Sequence, residues 1–172
     1  FAKGYAADPK NMEMANFLGI CYCELGDFQK GLVIFNEIAS QDNPKYAEDV
    51  VKAKENIKLY TNNRIAKLQG ENDFDGIIAV ADEMLAVNPQ DALAQKIRLQ
   101  ALFDKKDYAG VIASAEEAAA GQTDEEERSD VYFILGAAYN ARTMPQQAID
   151  ALSKVTAGAN VAAAQKTVAQ LK

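Results

Sequence analysis

Near its start the chain carries Ala15-x-x-Leu18-Gly19-x-x-Tyr22, and near its end the same spacing returns as Tyr132-x-x-Leu135-Gly136-x-x-Tyr139. Tyr22 and Tyr139 lie 117 positions apart, three periods of 34 with 15 left over. A period of 34 residues is that of a helix-turn-helix unit. One such unit cannot bury its apolar face alone, so neighbours stack on it and the stack leaves an extended concave surface. The expected fold is therefore all-α: an α-α superhelix, or solenoid, of stacked helix-turn-helix repeats spanning residues 1–172 as one domain.

Turn signals divide that span. Gly26-Asp27-Phe28, Asn72-Asp73-Phe74, Lys106-Asp107-Tyr108 and Thr143-Met144-Pro145 each separate two helical patterns. They define repeat 1 at 12–44, repeat 2 at 45–89, repeat 3 at 92–122 and repeat 4 at 123–159, with a terminal helix at 160–172. Phe74 to Tyr108 is one clean period of 34; Phe28 to Phe74 is 46, a period plus 12, and Tyr108 to Pro145 is 37, a period plus 3. The first surplus predicts an elongated helix from about Lys45 to Gln69, because Tyr46, Val50, Ala53, Ile57 and Tyr60 recur in steps of four and three. The second adds Gly121-Gln122-Thr123-Asp124, where Thr123 and Glu126 are expected to form a capping box and the acids Asp124 to Glu127 to meet the positive end of the helix dipole. Val161, Ala164, Val168 and Leu171 share one face of the terminal helix. Phe1 followed by Asp8-Pro9 reads as the end of a preceding repeat at 1–9.

The pattern resembles the tetratricopeptide repeat family, whose units run W-x2-L-G-x2-Y, then A-x3-F, then P. Repeat 1 carries it best, with Leu18, Gly19, Tyr22, Gly31 and Phe35. Repeat 4 recovers it with Tyr132, Leu135, Gly136 and Tyr139. The Leu, Gly and Tyr slots hold Arg64, Ile65 and Leu68 in repeat 2 and Arg98, Leu99 and Leu102 in repeat 3. Gly19 is expected to admit the paired helix closely, with Tyr22 and Phe35 filling the space between. The resemblance implies that the first helices line the concave face, through Glu13, Asn16, Ile20 and Cys23; Leu59, Asn62, Ala66 and Gln69; Leu93, Lys96, Gln100 and Phe103; Asp130, Phe133, Ala137 and Asn140. From these rows the expected peptide-binding residues are Asn16, Ile20, Asn62, Lys96, Gln100, Phe103, Phe133 and Asn140. Amides bond a peptide backbone whatever its sequence, and the two phenylalanines either anchor apolar groups of a partner or pack on adjacent helices. Lys96 is the one basic residue in the rows, so a clamp for a C-terminal carboxylate is not expected.

Charge narrows the function further. The net charge is −7, with 18 basic residues spread along the chain, only Lys105 and Lys106 being adjacent; a nucleic acid partner calls for clustered Lys and Arg and is not expected. Histidine is absent, which removes the usual general base and the usual zinc ligand. No nucleophile sits beside a base and no Gly-rich phosphate loop follows a strand. No catalytic residue, metal or cofactor is expected, and no segment is apolar for long enough to span a bilayer. Cys21 and Cys23 point apart on a helix and are expected as reduced thiols, which suits a cytoplasmic setting better than a periplasmic one. The reading is a non-enzymatic scaffold that binds a peptide or protein segment in its concave groove. The alternative is a structural subunit of a larger assembly, joined through its exposed repeat edges, with self-association through its terminal repeats.

Overall fold

The same backbone reversal occurs four times. The structure, a computed structural model, describes residues 11–172; the segment read as a preceding repeat, 1–9, lies outside the described residues. At each reversal one residue takes a left-handed conformation: Gly26 (φ 87°), Asn72 (φ 55°), Lys106 (φ 67°) and Thr143 (φ 55°). Glycine and asparagine adopt it readily, whereas a β-branched threonine there is strained. At three of the four the residue after it donates its N–H back across the helix end: Asp27 to the Tyr22 oxygen at 2.8 Å, Asp107 to Leu102 at 2.9 Å and Met144 to Tyr139 at 3.0 Å. This six-residue closure satisfies carbonyls that a helix end leaves orphaned. Its acceptors Tyr22, Leu102 and Tyr139 are the residues that sequence spacing puts in equivalent slots. An aspartate then starts the next helix at three of the four turns, accepting from Lys30 N–H (3.3 Å), Gly76 N–H (2.8 Å) and Gly110 N–H (3.0 Å). At the fourth, Met144 offers no cap and Pro145, lacking an N–H, takes the first turn instead.

These turns separate a run of helices, and among the described residues there is no strand. In chain order the helices are α1 (Met12–Glu24), α2 (Phe28–Ala39), α3 (Ala47–Gly70), α4 (Phe74–Val87), α5 (Ala92–Asp104), α6 (Tyr108–Gly121), α7 (Glu125–Ala141), α8 (Pro145–Leu152) and α9 (Val161–Leu171). A 3-10 turn, Pro44–Tyr46, leads into α3. The elongated helix is thus present, within two residues of the expected bounds. The described chain forms two compact units: residues to Asn72 with Glu83–Pro89, and Asp73–Asp82 with Gln90–Lys172.

In the first unit α2 packs on α1, and α3 packs on both. Gly19 makes the α1–α2 approach possible, since a Cβ there would lie 2.5 Å from the Phe35 ring. Phe35 has no exposed surface, and Leu32 and Ile38 are buried beside it on the same face of α2. The inner face of α3 carries Ala53, Ile57 and Thr61, each four residues from the last. Tyr60 stacks on Phe35 at 6.4 Å between ring centroids, and its hydroxyl donates to Glu24 Oε1 at 2.7 Å. Burial, followed by that bond, pushes the Tyr60 hydroxyl up to about 12.

In the second unit α6 packs on α5, α7 on α6, α8 on α7 and α9 on α8. One core joins Leu99, Val111, Ala115, Val131 and Leu135. Gly136 repeats the role of Gly19: a Cβ there would lie 2.5 Å from Leu152. Ala164 of α9 is buried with Leu152 and Val155, so the terminal helix covers the last pair through the face expected of it. The start of α7 corrects one expectation. The cap is Asp124 rather than Thr123; its Oδ1 accepts from Glu126 N–H at 2.9 Å and Glu127 N–H at 3.1 Å. A carboxylate serves two of the free N–H groups at once, so the helix begins one residue later than a Thr123 cap would set it. Glu125, Glu126 and Glu127 do occupy its first turn.

Candidate functional site

The site grows from the way α3 lies against α1. Asn16 Nδ2 donates to the main-chain oxygen of Asp49 at 3.2 Å, 33 residues on, and Glu24 accepts from Tyr60, 36 residues on. Both separations are close to one period. The first half of α3 therefore runs alongside α1 in the same direction, and the row facing Glu13, Asn16 and Ile20 comes from that half. The row the resemblance implies, Leu59, Asn62, Ala66 and Gln69, falls further along the helix, where Asn62 is exposed.

Between the two helices is an open recess of about 230 Å³. Its α1 wall is Glu13, Asn16, Phe17 and Ile20; its α3 wall is Lys52, Glu55 and Asn56. Phe17 is 45% exposed and Ile20 half-buried, which gives the recess an apolar side. Asn16 is only 5% exposed. Its Nδ2 is held by Asp49, while its enclosed Oδ1 accepts no hydrogen bond among the described residues. A buried acceptor without a donor is costly, by about 1–3 kcal/mol, and such atoms call for a partner. Val51 and Leu59, one turn either side of Glu55 on the same helix face, are 54% and 52% exposed and extend the apolar surface.

A second concavity of the same unit lies at the first turn, along Leu25, Asp27, Phe28, Arg64 and Glu83. Its cation is already engaged. Arg64 stacks on the Phe28 ring at 4.4 Å and donates through Nη1 to Glu83 Oε2 at 2.6 Å.

The remaining expected residues belong to the second unit and serve mostly its own structure. Lys96 bonds to Glu127 and lies 3.9 Å from Asp130, exactly one repeat period further on in sequence count. Asp130 also accepts from Asn160 Nδ2 at 2.9 Å. Gln100 donates to Asp104 at 2.9 Å. Phe103 meets Tyr108 edge-on at 5.6 Å and packs on the Leu99 core, and Phe133 packs against Leu152, Val155 and Ala164. Asn140 is exposed. Of the eight expected residues, the structure brings Asn16 and Ile20 together in one recess. Lys52, Glu55 and Asn56 were missed by the sequence reading; the signal for them was the 34-residue count forward from Leu18 and Tyr22, which lands on Lys52 and Asn56.

Neither thiol is bonded, and burial, with Glu24 beside it, pushes the Cys23 thiol up to about 11. That keeps it protonated and a poor nucleophile near neutrality. Among the described residues no helix is long and apolar enough to cross a membrane. No protein-family model matches the sequence, and no curated protein matches it.

Proposed function

We propose that this chain is a non-enzymatic protein-interaction scaffold of the tetratricopeptide repeat kind, an α-α superhelix that binds a peptide segment along the face formed by its first helices. The recess beside Asn16 and Ile20 carries this reading. It sits on the row that the resemblance assigns to the groove and is open to solvent. The exposed Val51 and Leu59 offer apolar area to a partner's side chains. The superhelix reading is supported by the recurring turn, by Gly19 and Gly136 in equivalent seats, and by side-by-side contacts one period apart within each unit.

The test is a fluorescent random heptapeptide library passed over immobilised wild-type protein and an Ile20→Gln, Asn56→Ala double variant whose helicity is first matched to wild type. Peptides retained by the wild type and lost by the variant are the expected result. Equal retention by both, or retention by neither, overturns the proposal.

A further inference from the structure

The outward ridge of α3 lies exposed along its length. On the side away from the buried Ala53, Ile57 and Thr61 stand Glu48, Lys52, Glu55, Leu59, Asn62 and Ala66, all exposed, in alternating steps of four and three. That spacing is the one by which a helix lies along another helix. Val51 and Lys58 flank the ridge, and Val51 and Leu59 are 54% and 52% exposed. None of Glu48, Lys52, Glu55 and Lys58 makes an ion pair among the described residues.

The order of these residues decides what fits them. Laid antiparallel about a point near residue 54, a second copy of the ridge sets Lys52 against Glu55, Glu48 against Lys58 and Val51 against Leu59. A two-fold axis makes each of these pairings twice. A parallel, in-register arrangement would instead set every charge against its own kind. A chain of net charge −7 repels its copies in general, so contact between them needs such a local match.

We infer that α3 pairs antiparallel with α3 of a second copy of this chain, forming a two-fold dimer through this ridge. The ion pairs are exposed and each contributes little to stability, but together they fix direction and register. Val51 and Leu59 supply the apolar area. A seam of about fourteen residues, roughly 21 Å long at the rise of a helix, is smaller than a standard interface of about 1,200–2,000 Å². The dimer is therefore weak and is expected to form between about 0.1 and 1 mM. The inference goes beyond the peptide reading and stands without it. Lys52 and Glu55 also wall the recess, so a second copy and a bound peptide exclude each other.

The test is sedimentation velocity of the whole chain up to about 1 mM, beside the variants Lys52→Glu and Glu55→Lys, each altering one exposed residue and each first matched to wild type in helicity. The wild type is expected to gain mass as concentration rises. Either variant alone sets like charges against each other on both sides of the axis, and its association constant is expected to fall at least about tenfold. Mixed in equal parts, the two variants are complementary again. With one of them dye-labelled, the mixed pair is expected to form about as readily as the wild-type dimer, a recovery that a folding defect or a general charge effect would not give. A wild type that stays monomeric throughout, single variants that associate as well as the wild type, or a mixture no stronger than its components would each overturn the inference. In every case the heptapeptide library judges the peptide reading on its own.

Discussion

The first helix pair and the third seat their helices in opposite ways. In α1 and α2 the contact is Gly19 against Phe35, smallest against large. In α5 and α6 the equivalent slots hold Leu99 and Ala115, both buried in one core. The last pair returns to the first arrangement with Gly136 against Leu152. Each pair keeps a sixteen-residue separation between the two slots. What the three pairs share is thus one space divided between two slots sixteen residues apart, filled from one helix or from both. Interiors packed to crystal-like density impose such a rule, because a void or an overlap of one side chain is felt at once.

The comparison is broken most severely by emptying the large side of the first seat. Phe35→Ala is expected to destabilise the protein by about 3–5 kcal/mol, measured by urea unfolding followed by circular dichroism; a loss under about 1 kcal/mol would mean that the ring does not fill the α1–α2 space. Overfilling the small side comes next. Gly19→Leu forces the Phe35 ring aside and is expected to cost about 1–3 kcal/mol, whereas an unchanged midpoint would show that the close approach is not needed.

A smaller effect separates the turns. Gly26 and Thr143 occupy the same left-handed position, but threonine pays steric strain there that glycine does not. Thr143→Gly is therefore expected to stabilise the protein by up to about 1 kcal/mol, the relief of strain outweighing the added freedom of the unfolded chain. Destabilisation would mean that the Thr143 hydroxyl, which donates to the Arg142 oxygen at 2.7 Å, matters more than its backbone. The smallest effect is electrostatic. A hydrogen bond from Lys30 holds the Asp27 carboxyl below its ordinary value, so its contribution is complete above the unfolded value of about 4 and fades as pH falls through the lower folded-state value. Asp27→Asn is expected to flatten that part of the stability profile slightly, by an amount limited because both groups are exposed; an unaltered profile in the variant would contradict the assignment.

The turns were legible in the sequence because each combines a residue tolerant of the left-handed region, or one following the helix end, with an aspartate or proline that starts the next helix. Gly19 and Phe35 were legible for the same reason: small and large residues at fixed separation announce a close crossing. The partnership of α1 with α3 was not. Its register follows the period from Leu18 and Tyr22, but Lys52 and Asn56 bear no likeness to the residues they succeed. The expected row, Leu59, Asn62, Ala66 and Gln69, lies further along α3 than Lys52, Glu55 and Asn56. Phe103 and Phe133 were legible only as a choice between anchoring a partner and packing on adjacent helices, since what covers them, Tyr108 and Ala164 on other helices and Val155 in the segment after α8, is set by tertiary packing.

The most direct measurement is a double-mutant cycle that turns the first seat into the third: Gly19→Leu, Phe35→Ala and the two together, each unfolded in urea. If the two slots share one space, the double variant is more stable than the two single losses predict by about 2 kcal/mol, within the range seen for residues in contact. Additive losses, agreeing within about 0.5 kcal/mol, would contradict the account, because the two slots would then not share one space.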